Sequence, residues 1–246
     1  MRRVWAGLGA LLLLAAGQSG CSGGPGPLVV YAAASLTDVL PVITARFAAE
    51  HDVEVVHSFG ASSTLAQQVA QGSPGDLLVS ASEPAVQRLR SSGLAGEPVV
   101  VASNTLQLVV PAADPGRVRG LGDLAREELR VVLCDPGVPC GAAAEQVLTA
   151  AGVSARPDSL EADVRAVLTK VATGEADAGL VYRTDVLAAG EAVRGTDVPG
   201  ADAAANRYPA LVLTSGSRTE EARELLTYLQ GDEARQLLTE AGFRAP

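Results

Sequence analysis

The chain has 246 residues, a formal net charge of −9 at pH 7, 48% hydrophobic residues and only two histidines. An acidic chain repels polyphosphate at long range, and with no basic stripe and no Cys/His zinc spacing the sequence excludes a nucleic-acid partner. A small anion held by local dipoles is not excluded, because salt screens distant charges beyond a Debye length of roughly 8 Å.

Arg2 and Arg3 precede an apolar run from Val4 to Ala16, which is the length of a signal h-region and too short to span a bilayer. Residues 1–20 therefore read as an export signal. Ser19-Gly20 before Cys21 fits a lipoprotein signal, with Cys21 acylated as the first mature residue. Gln18 departs from the aliphatic residue usual there, so ordinary secretion with cleavage nearby is the competing reading. Residues 21–27, rich in Gly and Pro, read as a flexible tether.

Short β-rich runs follow at Val29–Tyr31, Val53–Val56, Asp76–Val79, Leu106–Val110, Val131–Leu133, Ala178–Tyr182 and Leu211–Leu213. Several are continuously apolar, as strands buried on both faces are. Between them Leu36, Val39, Leu40, Ile43 and Phe47 recur at the spacing of one helix face, as do Val164, Val167, Leu168 and Val171, then Leu225, Leu226 and Leu229. Alternation of strand and helix predicts an α/β fold with ligands at the carboxyl ends of the strands.

Four strand-to-helix junctions carry clusters with little bulk or charge: Ala33-Ala34-Ser35, Ala61-Ser62-Ser63, Pro139-Cys140-Gly141 and Glu161-Ala162-Asp163-Val164. The first turn of a helix has N–H groups without intrahelical partners and a partial positive charge, so several helix starts brought together can hold a dianion without Lys or Arg. Each residue also has a plainer role. Ser35 and Ser62 read as helix caps, Val164 as core at a helix start, and Tyr182 as a half-buried ring with its hydroxyl at the surface. Asp38, Asp163 and Asp185 read as surface acids at helix starts, facing away from any ligand.

The segments Val30-Tyr31-Ala32-Ala33-Ala34-Ser35-Leu36-Thr37-Asp38, Ser58-Phe59-Gly60-Ala61-Ser62-Ser63-Thr64-Leu65-Ala66 and Gly75-Asp76-Leu77-Leu78-Val79-Ser80-Ala81 resemble the periplasmic molybdate-binding proteins of ABC importers. Gly179-Leu180-Val181-Tyr182 with Thr184-Asp185, and Tyr228-Leu229 with Ala241-Gly242-Phe243, extend the resemblance from about Leu28 to Phe243. It implies a two-lobed type II periplasmic-binding-protein fold with a ligand cleft between the lobes. One lobe would be residues 28–104 and 207–246 and the other 105–206, with hinges near Ser103-Asn104-Thr105 and Asn206-Arg207-Tyr208. It also implies an oxyanion shell made of Ser35 and Ser62 from the first lobe, with the backbone N–H groups of Cys140 and Val164 and the Tyr182 hydroxyl from the second. The ligand would be molybdate or tungstate, the partner an ABC importer permease, and the membrane link a lipid anchor only. A monomer without cofactor or catalytic residue is expected.

Two alternatives stand beside this. The same fold could bind sulfate, thiosulfate or another small anion, because neutral donors recognise any tetrahedral dianion. An exported serine hydrolase is opposed by the histidine supply: His51 lies in a charged turn, and His57, five residues before Ser62 on an expected strand, is the one candidate base. Finally, with Cys21 lipidated, Cys134 and Cys140 remain as a pair that could form a disulfide in an oxidising compartment; two buried thiols are the plainer alternative.

Overall fold

The computed structural model describes residues 26–246, so the export signal, Cys21 and most of the tether lie outside the described residues. The strands are β1 (Leu28–Ala33), β2 (Val55–Gly60), β3 (Leu77–Val79), β4 (Val99–Asn104), β5 (Leu106–Pro111), β6 (Val131–Cys134), β7 (Ser159–Glu161), β8 (Ala178–Tyr182), β9 (Val193–Asp197) and β10 (Asn206–Val212). The helices are α1 (Leu40–His51), α2 (Ser62–Ala70), α3 (Glu83–Ser91), α4 (Pro139–Ala150), α5 (Val164–Ala172), α6 (Arg183–Ala189), α7 (Thr219–Tyr228) and α8 (Asp232–Glu240).

Two five-stranded sheets result, ordered β2-β1-β3-β10-β4 and β7-β6-β8-β5-β9. They share one plan. Three parallel strands are followed by one antiparallel strand, β10 or β5, and then by an edge strand paired to it. The chain leaves the first sheet between β4 and β5 at Thr105 and returns at Ala205, where Asn206 pairs in register with Asn104. Asn104 Nδ2 donates to Thr184 Oγ1 at 2.9 Å, and Asn206 Nδ2 donates to the Ala81 carbonyl at 3.0 Å, so both crossings are tied to residues beside the cleft.

Each sheet has its own core. Leu40, Ile43 and Phe47 on one face of α1 are buried against the first sheet, and Val164, Val167, Leu168 and Val171 of α5 against the second. Fully burying such a side chain contributes about 1.5–3 kcal/mol, so the amphipathic spacing is sufficient reason for these helices to dock where they do. Among the described residues no helix is long and apolar enough to cross a membrane.

Three local expectations are corrected. The first junction is not an α-helix start: Ala34–Leu36 form a 3-10 turn, and α1 begins only at Leu40. Pro41 explains this, because a helix continuous from Ser35 would need the missing Pro41 N–H and would press its ring on the Thr37 carbonyl. The strand expected at Val53–Val56 starts at Val55 and runs on to Gly60, since Asp52 adopts a left-handed conformation (φ 49°) that turns the chain out of α1. Strands β4, β7 and β9 are additions to the expected set.

Candidate functional site

The carboxyl ends of β1, β2, β6, β7 and β8 meet between the sheets around a cavity of about 20 Å³. Its wall includes all five candidates, Ser35, Ser62, Cys140, Val164 and Tyr182. The remaining lining is largely small, with Ala33, Ala34, Gly60, Ala61 and Ala81 letting main chain approach closely. A volume near that of one water-sized sphere suits a compact ion and no organic substrate of ordinary size.

Three helices begin at this wall, and their caps differ in a telling way. Ala61 before α2 and Val138 before α4 make no side-chain cap, so the first N–H groups of both helices, that of Cys140 among them, have no partner within the helix. Before α5, Asp163 Oδ1 accepts from the Arg165 N–H at 2.9 Å and the Ala166 N–H at 3.1 Å. The Val164 N–H, one residue earlier, is not engaged by that cap, and Val164 lines the cavity. Asp163 thus serves its helix at the wall of the cavity, not on a remote surface as its sequence context implied.

Each hydroxyl is placed so that its own proton can face the cavity. Ser62 Oγ accepts from the Ala81 N–H at 2.8 Å, which leaves the Ser62 proton available. Ser35 Oγ lies 2.7 Å from the Tyr208 hydroxyl, and with Tyr208 donating, Ser35 can donate to a ligand. Tyr208 itself rests edge-on against Phe243, which connects the C-terminal Ala241-Gly242-Phe243 segment to the site. The sequence carried no sign of this role, since Tyr208 is followed by Pro209 in an otherwise ordinary strand.

Tyr182 departs from its plain reading. It is 2% exposed, and its hydroxyl is buried with no hydrogen-bond partner among the described residues. Burial raises its pKa well above the ordinary phenol value, which keeps the proton on oxygen for donation. A buried hydroxyl without a partner costs about 1–3 kcal/mol, and an oxyanion in the cavity would relieve that cost.

Cys134 at the end of β6 and Cys140 in the first turn of α4 are joined by a disulfide. It closes the turn that presents the Cys140 N–H. Gly141 is required next to it, because a Cβ there would sit 1.9 Å from the Asp135 carbonyl oxygen.

Asp185 corrects the sequence expectation of a surface acid. It is 1% exposed, accepts from the Tyr182 N–H at 3.0 Å, and its carboxyl is pushed up to about 7, chiefly by burial and against the pull of Arg165. His57 is engaged elsewhere, its Nε2 lying 2.9 Å from Thr44 Oγ1, and burial lowers its pKa. His51 pairs with Glu224. Neither histidine lines the cavity with Ser62, and among the described residues no group of three or more His, Cys, Asp or Glu is placed to hold a metal ion.

Two α/β lobes that meet around one small cavity define the two-lobed fold of a periplasmic binding protein. The family model for bacterial extracellular solute-binding proteins matches residues 28–244, and the chain belongs to that family. It is 37% identical over 234 residues to the molybdate-binding protein ModA of Mycobacterium tuberculosis H37Rv, covering 94% of this chain and 90% of that one. Among solved structures, the periplasmic molybdate-binding protein of Azotobacter vinelandii superposes with a TM-score of 0.78 at 26% identity, covering 89% of this chain and 99% of that one. The sulfate-binding protein SubI of M. tuberculosis H37Rv (TM-score 0.74, 21% identity, 89% and 87% covered) shares the fold.

Proposed function

We propose that this protein captures molybdate, and tungstate of nearly the same size, outside the cytoplasm and delivers it to the permease of an ABC importer. The observation that carries the reading is the Tyr182 hydroxyl, buried and without a hydrogen-bond partner among the described residues at a cavity shared with Ser35, Ser62, Cys140 and Val164. These donors come from both lobes, so a closed cleft contacts the ion more fully than an open one and binding shifts the population toward closure. The relatives named for molybdate give the ion its identity. Anchoring through a lipid on Cys21, action as a monomer, and the absence of a cofactor and of catalysis complete the proposal.

A sulfate-binding role is the second reading, because the shell is neutral and any tetrahedral dianion satisfies it; the size of the closed cavity decides between them. Calorimetric titration of residues 21–246 with molybdate, tungstate, sulfate and phosphate tests this. Molybdate and tungstate should bind far more tightly than sulfate. Phosphate should not compete near pH 7: its retained proton needs an acceptor, and the one carboxylate at the wall, Asp163, already has Oδ1 engaged by the Arg165 and Ala166 N–H groups. Equal affinity for sulfate would replace the ion while leaving the family intact.

A further inference from the structure

A charged cluster beside the cavity does not line it. Arg165, the residue after the Val164 donor, reaches out of the second lobe and places Nη1 2.8 Å from Asp38 Oδ2 in the first lobe. The same Nη1 lies 3.5 Å from Asp185 Oδ1. Each partner is fixed to a different ligand-bearing segment. Asp38 follows the 3-10 turn that contains Ser35. Asp185 accepts from the Tyr182 N–H. Arg165 is itself held by its own N–H, which donates to Asp163 Oδ1 at 2.9 Å in the cap beside the Val164 N–H. One guanidinium therefore connects the segments of Ser35, Val164 and Tyr182.

We propose that Arg165 is the positioning residue of the closed state, a latch whose contact with Asp38 across the lobes holds the cleft shut over the ion while Asp185 keeps the guanidinium aimed. The inference rests on the oxyanion reading of the cavity and adds the element that controls release. In an open cleft the contact between Arg165 and Asp38 is broken, so the pair slows ligand escape and has little influence on first encounter. The side chains of Arg165 and Asp38 are 32% and 49% exposed, which limits the effect to that of a partly screened ion pair.

The sign of one substitution separates the latch from simple field effects. Asp38 is an anion near an anion site, so by charge alone Asp38→Asn should tighten molybdate binding. The latch requires the opposite: about two- to fivefold weaker binding, carried by faster release in stopped-flow displacement, with association unchanged. Arg165→Gln should weaken binding too, and the double variant should bind no more weakly than Arg165→Gln alone. Asp38 is a half-exposed turn residue, so its variant reads out the latch even if Arg165→Gln, which strips the buried Asp185 of its cation, folds poorly. Unchanged or tighter binding by Asp38→Asn, or additive losses in the double variant, would overturn the latch. Such a result, with the unsubstituted protein still binding molybdate, leaves the oxyanion function standing. Failure of the unsubstituted protein to bind molybdate, tungstate or sulfate removes that function and the latch with it.

Discussion

Removing the Tyr182 hydroxyl separates binding from folding, because that hydroxyl is buried without a partner among the described residues. On the proposed reading, Tyr182→Phe should delete a hydrogen bond to a charged ligand, a loss of about 1.5–3 kcal/mol or roughly ten- to a hundredfold in affinity. It also deletes a buried hydroxyl that has no partner among the described residues, so the thermal midpoint of the ligand-free protein should not fall. Ser62→Ala should lose affinity on the same scale but also orphan the Ala81 N–H, lowering the midpoint. Calorimetry and thermal unfolding of the two variants check the pair of outcomes; Tyr182→Phe binding like the unsubstituted protein would place its hydroxyl outside the shell.

Asp185 makes a prediction about pH. Burial pushes its carboxyl up to about 7 from the ordinary 3.8, with Arg165, Asp38, Tyr182 and Tyr208 as the charged or titratable groups around it. The folded state thus holds this proton more tightly than the unfolded chain, and its contribution to stability falls as pH rises from about 4 to 7. Asp185→Asn keeps an acceptor for the Tyr182 N–H and cannot ionise. Its stability relative to the unsubstituted protein should therefore improve steadily across that window in denaturant titrations. A difference independent of pH would show that Asp185 does not titrate there.

At the scale of elements, the α4 start is the most heavily constrained. The disulfide joins residues six apart in sequence, and closing so short a loop restricts the unfolded chain by about 2 kcal/mol. Cys134→Ala with Cys140→Ala should lower the thermal midpoint by about 4–8 °C. It should also weaken molybdate binding although the Cys140 N–H survives, because the turn presenting it is no longer pinned. An affinity unchanged in the double variant would limit the disulfide to stability.

The same element shows what the sequence reveals. Helix starts at Ser62, Pro139 and Val164 are legible because a small or capping residue interrupts a strand-like run, and after Val164 a 3.6-residue period follows as well. The first junction was misread because the periodicity of Leu36, Val39, Leu40 and Ile43 continues across Pro41, and the backbone consequence of proline outweighs the pattern. Strand β9 left no signal: only Val193 of its five residues is buried, so its pairing with β5 is main-chain work at an edge. Strand β7 is three residues long and equally silent. Strand β4 opens on Val99-Val100-Val101, an apolar run that supports a strand and was left outside the expected set. Tyr208 and Asp185 were hidden for another reason, since their roles depend on which segments meet across the fold.

For the whole molecule, the two sheets share one plan and the chain crossings between them lie side by side at Asn104 and Asn206. The five candidate donors are drawn from both bodies and line one cavity, so on the proposed reading capture and closure are coupled. In the proposed function, Ser35, Ser62, Cys140, Val164 and Tyr182 surround one oxyanion. A crystal structure of residues 21–246 with molybdate, phased to reveal the molybdenum by anomalous scattering, tests it most directly. A single strong peak in the cavity is expected, with oxygens within hydrogen-bonding distance of the Ser35, Ser62 and Tyr182 hydroxyls and the Cys140 and Val164 N–H groups. A peak elsewhere, or a shell that leaves Tyr182 out of contact, would contradict it.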